Sequence, residues 1–141
     1  MVGLVIASHG QLAREMLATA EQIVGKLPAC EAVSIQPGAS PEEIRAAMRD
    51  AIGHVEDGDG VIIFADLFGG TPCNQSLMLC KQYQLEILTG VNLPMLLKAN
   101  SLRGEHLPLP GLAAALTQYG QKNITCASAL LRGSDAASPR G

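Results

Sequence analysis

With 141 residues the chain has the length of one compact domain, able to bury about two thirds of the surface its unfolded form exposes. Thirteen acidic against ten basic side chains give a formal net charge of -3, and two Phe, two Tyr and no Trp leave little for base stacking. That balance argues against nucleic acid and for a small molecule or another protein as partner. The N-terminal apolar stretch is too short for a secretory core and no eighteen apolar residues run together, so a cytoplasmic protein is expected. Cys30, Cys73, Cys80 and Cys126 lack CxxC spacing and sit in apolar sequence, which reads as four reduced, buried thiols; no metal and no cofactor are expected.

In chain order, Val2 to Ala7 is an apolar run that stops at Ser8-His9-Gly10, a buried strand delivering a histidine to the C-terminal rim of a parallel sheet. Leu12, Ala13, Met16, Leu17, Ala20, Ile23 and Val24 then recur at helical spacing, with Gly25 as the stop. Cys30 to Ile35 is the second strand and Gln36-Pro37-Gly38-Ala39 a turn. Ser40-Pro41-Glu42-Glu43 carries an N-cap serine, a first-turn proline and a capping-box glutamate, opening a helix whose apolar stripe runs from Ile44 to Val55. His54, near its end, reads as exposed.

After the solvated Glu56 to Gly60 turn, Val61 to Ala65 is a continuously apolar third strand ending on Asp66. Leu67-Phe68-Gly69-Gly70-Thr71-Pro72 is a glycine-rich connection, with Thr71 as N-cap of a helix through about Tyr83. Leu85 to Thr89 is the fourth strand, Gly90 to Pro94 a strand-to-helix junction, and Met95 to Leu97 an apolar stretch before a loop from about 100 to 110 that holds a surface His106. A helix spans Gly111 to about Gln121. Ile124 to Leu131 reads as a last strand, either antiparallel at an edge or exchanged with a second subunit, and 133–141 as a disordered tail.

The alternation predicts an α/β fold, an open doubly wound sheet of four parallel strands in the order 2-1-3-4 plus a C-terminal antiparallel edge strand, with helices on both faces. In that order the first and third strands are neighbours at the topological switch point, so His9 and Asp66 can meet. A carboxylate on one ring nitrogen fixes the tautomer and leaves the other nitrogen as a nucleophile. G-x-S-x-G, a Walker loop and G-x-G-x-x-G are all missing, and Ser8 points away from His9 in an extended strand. Helix N-H groups near Gly10 and amides at Gly69 and Gly70 suit an anion, so phosphoryl transfer to histidine fits the inventory. A dinucleotide- or metabolite-binding domain fits these spacings equally well.

Three motifs together, Val5-Ile6-Ala7-Ser8-His9-Gly10, Asp66-Leu67-Phe68-Gly69-Gly70-Thr71-Pro72-Cys73-Asn74 and Gly90-Val91-Asn92-Leu93-Pro94-Met95-Leu96, resemble the IIA component of the mannose-type sugar phosphotransferase system. The resemblance covers about residues 1 to 131. It implies a phosphotransferase in which His9 accepts phosphate from the histidine-containing phosphocarrier protein and passes it to a separate IIB component, touching the membrane only through permease components. Asp66 would be the hydrogen-bonding partner of His9, Thr71 would stand where the family commonly has serine near the phosphate, and the Pro37-Gly38 turn would border the same site. The resemblance also implies a homodimer exchanging its last strand, with a IIA domain over 1–132. A regulatory phosphoacceptor without a sugar permease is the alternative within the same family.

Overall fold

A computed structural model of the chain describes residues 1–67 and 69–133. Its single sheet has four parallel strands, β1 (Gly3–His9), β2 (Cys30–Ile35), β3 (Val61–Ala65) and β4 (Leu85–Thr89), in the order β2-β1-β3-β4 expected from the sequence. Register is tight through the centre: Ala7 of β1 lies opposite Val33 of β2 and Ala65 of β3, and Ala65 lies opposite Thr89 of β4. β1 and β3 are therefore neighbours, and their C-terminal ends carry His9 and Asp66 side by side.

Side-chain alternation along the strands divides the core into two layers. Leu4 and Ile6 of β1, Ile62 and Phe64 of β3 and Leu88 of β4 face one side, against α1 (Leu12–Val24), α4 (Leu93–Leu102) and α5 (Leu109–Lys122). Val5, Ala7, Val33, Ile35, Val61 and Ile63 face the other, against α2 (Pro41–Val55) and the end of α3 (Thr71–Leu79). β1 and β3 are buried on both faces, which is why their sequences are continuously apolar rather than alternating. Each fully buried Leu, Ile or Phe side chain contributes roughly 1.5–3 kcal/mol relative to exposure.

The helix starts follow their sequence signals unevenly. α2 has the complete capping box, with Ser40 Oγ accepting from Glu43 N–H at 3.1 Å and Glu43 Oε1 accepting from Ser40 N–H at 2.9 Å. In α3 the N-cap is Gly70, and Thr71 is the first helical residue rather than the cap; the helix ends at Leu79 in a turn closed by Tyr83 N–H to Leu79 O, short of the expected Tyr83. The apolar stretch at Met95 extends into a ten-residue α4, capped by Asn92 Oδ1 accepting from Met95 N–H. It runs on into a 3-10 turn at Arg103–Glu105, and α5 starts at Leu109, so the expected loop from 100 to 110 is mostly helical.

The C-terminal antiparallel strand expected over Ile124 to Leu131 is not formed. Residues Ala127–Leu131 make a short helix, α6, paired with no strand; its Leu130 and Leu131 are exposed, as is Ile124 before it. Only Ile124 and Thr125 of that segment are β-branched. The Ala-Ser-Ala-Leu-Leu that follows prefers helix when no neighbouring strand holds it extended. From residue 134 on, the tail expected at 133–141 lies outside the described residues. The cysteines also divide: Cys73 is buried and Cys30 half-buried, but Cys80 and Cys126 are exposed, contrary to the expectation of four buried thiols.

Candidate functional site

The site begins with the way β1 ends. Ser8 is fully buried and its Oγ accepts the N–H of Ala13 at 2.6 Å, tying the first turn of α1 to the last turnable point of the strand. Gln11, the nominal N-cap, makes no side-chain cap. Between them Gly10 adopts φ +59 and donates its N–H to Ile35 O at 3.0 Å, a left-handed bend that glycine takes without a Cβ penalty. His9 is thereby held between a rigid strand and a helix N-terminus, with its ring turned to the face opposite Ser8.

Asp66 orients that ring. One carboxylate oxygen, Oδ2, accepts both the backbone N–H of His9 at 2.9 Å and ring Nδ1 at 2.8 Å, while Oδ1 accepts Leu67 N–H at 2.9 Å. Burial pushes the Asp66 carboxyl up, but the hydrogen bonds from His9 and Leu67 together with the His9 charge outweigh it and hold the group below the ordinary aspartate value. An ionised carboxylate only accepts, so Nδ1 carries the hydrogen and Nε2 of the neutral ring is the free lone pair. The Asp66 side chain is 9% exposed and that of His9 51%, so the carboxylate is enclosed while the imidazole is open to a large partner.

Gly70 supplies the floor. A Cβ at this position would lie 2.9 Å from His9 Cε1, so the N-terminus of α3 abuts the imidazole only because the residue is glycine. The adjoining loop is braced by Asn74, whose N–H donates to Gly70 O at 2.9 Å and whose side-chain amide donates to Gly69 O at 3.2 Å. The Gln36 to Ala39 turn, with Gly38 at φ +85 and Ala39 N–H to Gln36 O at 3.3 Å, follows β2 on the other flank of His9. Gly10, Gly69, Gly70 and Thr71 thus share the rim with His9 and Asp66; Pro37 and Gly38 border it through β2 and, among the described residues, make no hydrogen bond to either. Two helix N-termini, those of α1 and α3, converge near one imidazole, an arrangement favourable to an anion on its free nitrogen.

The sequence did not reveal Ser8, Asn74 or the floor role of Gly70 as supports. Ser8 caps from five residues before Ala13, outside the usual N-cap spacing, and a glycine required by a side chain from another strand leaves no local signature. The other histidines stand elsewhere. His54 is exposed with Nδ1 3.0 Å from Glu31, and His106 is exposed at the end of the 3-10 turn.

Fold and rim together define a parallel α/β domain that presents an exposed imidazole oriented by a carboxylate. The family model for the PTS system fructose IIA component matches residues 3–116, and the chain belongs to this family of mannose/fructose-type phosphotransferase-system IIA components. It is 28% identical over 129 residues to the PTS system fructose-specific EIIA component of Bacillus subtilis, covering 91% of this chain and 88% of that one. To the PTS system mannose-specific EIIAB component of Escherichia coli it is 26% identical over 124 residues, covering 87% of this chain but only 38% of the relative. A mannose/sorbose-specific IIA subunit of Enterococcus faecalis superposes with a TM-score of 0.79 at 33% identity, covering 89% of this chain and 93% of that one. The phosphotransferase system component EIIA of Streptococcus agalactiae gives 0.83 at 26% identity, covering 91% and 98%.

Because Asp66 is held below its unfolded value, its contribution to stability is complete above that value, near pH 4, and is lost as pH falls through the lower folded one. Urea denaturation of wild type and Asp66→Asn should therefore show the wild-type advantage shrinking between pH 5 and pH 3. A constant gap across that window would contradict the carboxylate's role.

Proposed function

We propose that the chain is a phosphoryl carrier: His9 accepts phosphate from the histidine-containing phosphocarrier protein and passes it to a separate IIB component for sugar uptake. The observation that carries this reading is the 2.8 Å contact of Nδ1 of the half-exposed His9 with an enclosed Asp66, which in the neutral ring makes Nε2 the free lone pair. In the forward step the Nε2 lone pair attacks the phosphorus of the donor phosphohistidine in line. A new N–P bond forms, the old one breaks, and the electron pair returns to the donor imidazole. The Nδ1 hydrogen stays on His9, where Asp66 stabilises the positive character that grows on the ring. Helix N-termini at Gly10 and Gly70 receive the phosphoryl oxygens, with Thr71 beside them. Donor and acceptor are both phosphoramidates, so the exchange is near-balanced and positioning supplies most of the catalysis.

Support for partner proteins rather than a small substrate comes from the openness of the imidazole, which lies on a rim rather than in a closed pocket. No helix among the described residues is long and apolar enough to cross a membrane, in keeping with a cytoplasmic carrier that meets permease components only by docking. We place the working domain at 1–132 and assign it as a homodimer. The support is Ile124, Leu130 and Leu131, which are 77%, 70% and 88% exposed and which a second copy would cover.

Incubation with phosphoenolpyruvate, the general phosphotransfer enzyme and the phosphocarrier should give acid-labile label on wild type and none on His9→Ala; label retained on the variant would overturn the assignment. Asp66→Ala should slow transfer by about 10²-fold or more while the protein still folds, and an unchanged rate would remove Asp66 from the mechanism. Chase of the label into purified IIB proteins distinguishes transport from regulation. Sedimentation should find a dimer for the full chain and a monomer for a chain ending at Lys122; a full-length monomer would contradict the assembly.

A further inference from the structure

The connection from β3 to α3 sets an aliphatic side chain beside the imidazole. Leu67 follows Asp66 directly, and its backbone N–H is held by Asp66 Oδ1 at 2.9 Å, while Asp66 N–H donates to Ala7 O at 3.2 Å. The residue is therefore fixed by the same carboxylate whose other oxygen orients His9. Its side chain leans over Gly70 toward the ring. A Cβ built on Gly70 would lie 2.9 Å from Leu67 Cδ1 and 2.9 Å from His9 Cε1, so the leucine and the imidazole converge on one point.

Cε1 is the ring carbon bonded to both nitrogens. With Nδ1 turned to Asp66, the flank that Leu67 borders is the one next to Nε2. Leu67 nevertheless stays 49% exposed. A lone exposed leucine on an ordinary surface needs no account. One seated between a nucleophilic nitrogen and the N-terminus of α3 changes the surroundings of whatever that nitrogen carries.

We propose that Leu67 is a specificity-determining residue that favours transfer of the phosphoryl group to a protein acceptor over transfer to water. The inference rests on the phosphoryl-carrier reading. With phosphate on Nε2, the oxygens on the Cε1 side lie against the leucine methyl groups instead of solvent. In hydrolysis, water attacks phosphorus as the N–P bond breaks. The electron pair returns to Nε2, the ring becomes neutral with its hydrogen still on Nδ1, and both hydrogens of the water leave with dihydrogen phosphate. Charge spread over the phosphoryl oxygens in that step needs ordered solvent, which the leucine displaces from one side. A docked acceptor brings its own imidazole from the open side and replaces that solvent with its own surface, so transfer to it is spared the same loss.

The test is the lifetime of the phosphorylated full chain. Wild type, Leu67→Asn, Leu67→Ala and Leu67→Met are labelled from phosphoenolpyruvate through the general phosphotransfer enzyme and the phosphocarrier, freed of both by gel filtration, and followed by loss of acid-labile label at mildly alkaline pH. Leu67→Asn, close in size but polar, and Leu67→Ala should each shorten the half-life by about three- to tenfold as solvent regains the oxygens. Leu67→Met should stay within about twofold of wild type, since it keeps an apolar side chain of similar volume. Urea midpoints of the unphosphorylated proteins separate this from a fold defect, because hydrolysis should follow side-chain polarity and not stability. Wild-type half-lives in Leu67→Asn and Leu67→Ala, or a Leu67→Met as short-lived as Leu67→Asn, would overturn the proposal and leave the carrier reading intact. Variants that no longer accept label would also overturn it, by making Leu67 a residue of acceptance; a wild type that takes no label would overturn both.

Discussion

One carboxylate oxygen sets the geometry on which the functional end of this protein depends. Oδ2 of Asp66 takes the His9 backbone N–H and the His9 ring together, so it closes the end of β1 and chooses the imidazole tautomer in the same stroke. That double use is possible only because β1 and β3 are adjacent, and they are adjacent because the doubly wound order reverses between them. The remainder of the rim accommodates this pair: Ser8 anchors α1 beneath it, Gly70 vacates the space the ring needs, and Asn74 holds the loop that carries Gly70.

The division of labour along β1 follows from its alternation. Ser8 faces the α1 layer and is consumed by a structural hydrogen bond; His9, one residue on, faces the α3 side and keeps one nitrogen free. A serine and a histidine adjacent in sequence thus serve opposite ends of the same task, and the pair is no Ser–His nucleophile. Asp66 completes the arrangement from a buried position, where the hydrogen bonds of His9 and Leu67 keep it ionised against the pull of burial.

Much of this was legible in the sequence, because the features concerned are local. The continuous apolar runs of β1 and β3 announced strands covered on both faces, and Ser40 with Glu43 announced α2 to the residue. His9 and Asp66 could be paired from the sequence, since the common doubly wound order 2-1-3-4 makes the first and third strands neighbours. What failed depends on contacts distant in sequence. Ile124 to Leu131 is apolar enough for a strand, but in a single chain nothing pairs with it and its Ala and Leu content turns it to helix. The helical passage from Leu93 to Glu105 lacks a regular polar face because it packs between α1 and α5, which hides its periodicity. Gly70 reads in the sequence as an amide suited to an anion, and nothing local shows that it must also be small opposite a ring from another strand.

In the proposed carrier, Asp66 holds the hydrogen of His9 on Nδ1 and leaves Nε2 to take the phosphate. Long-range 1H–15N correlation of the imidazole in protein labelled with 15N-histidine reads this directly. Neutral His9 should show a protonated Nδ1 and an unprotonated Nε2, and phosphorylation should introduce coupling to phosphorus at Nε2 alone. A neutral ring protonated at Nε2, or phosphorus coupled to Nδ1, would contradict it.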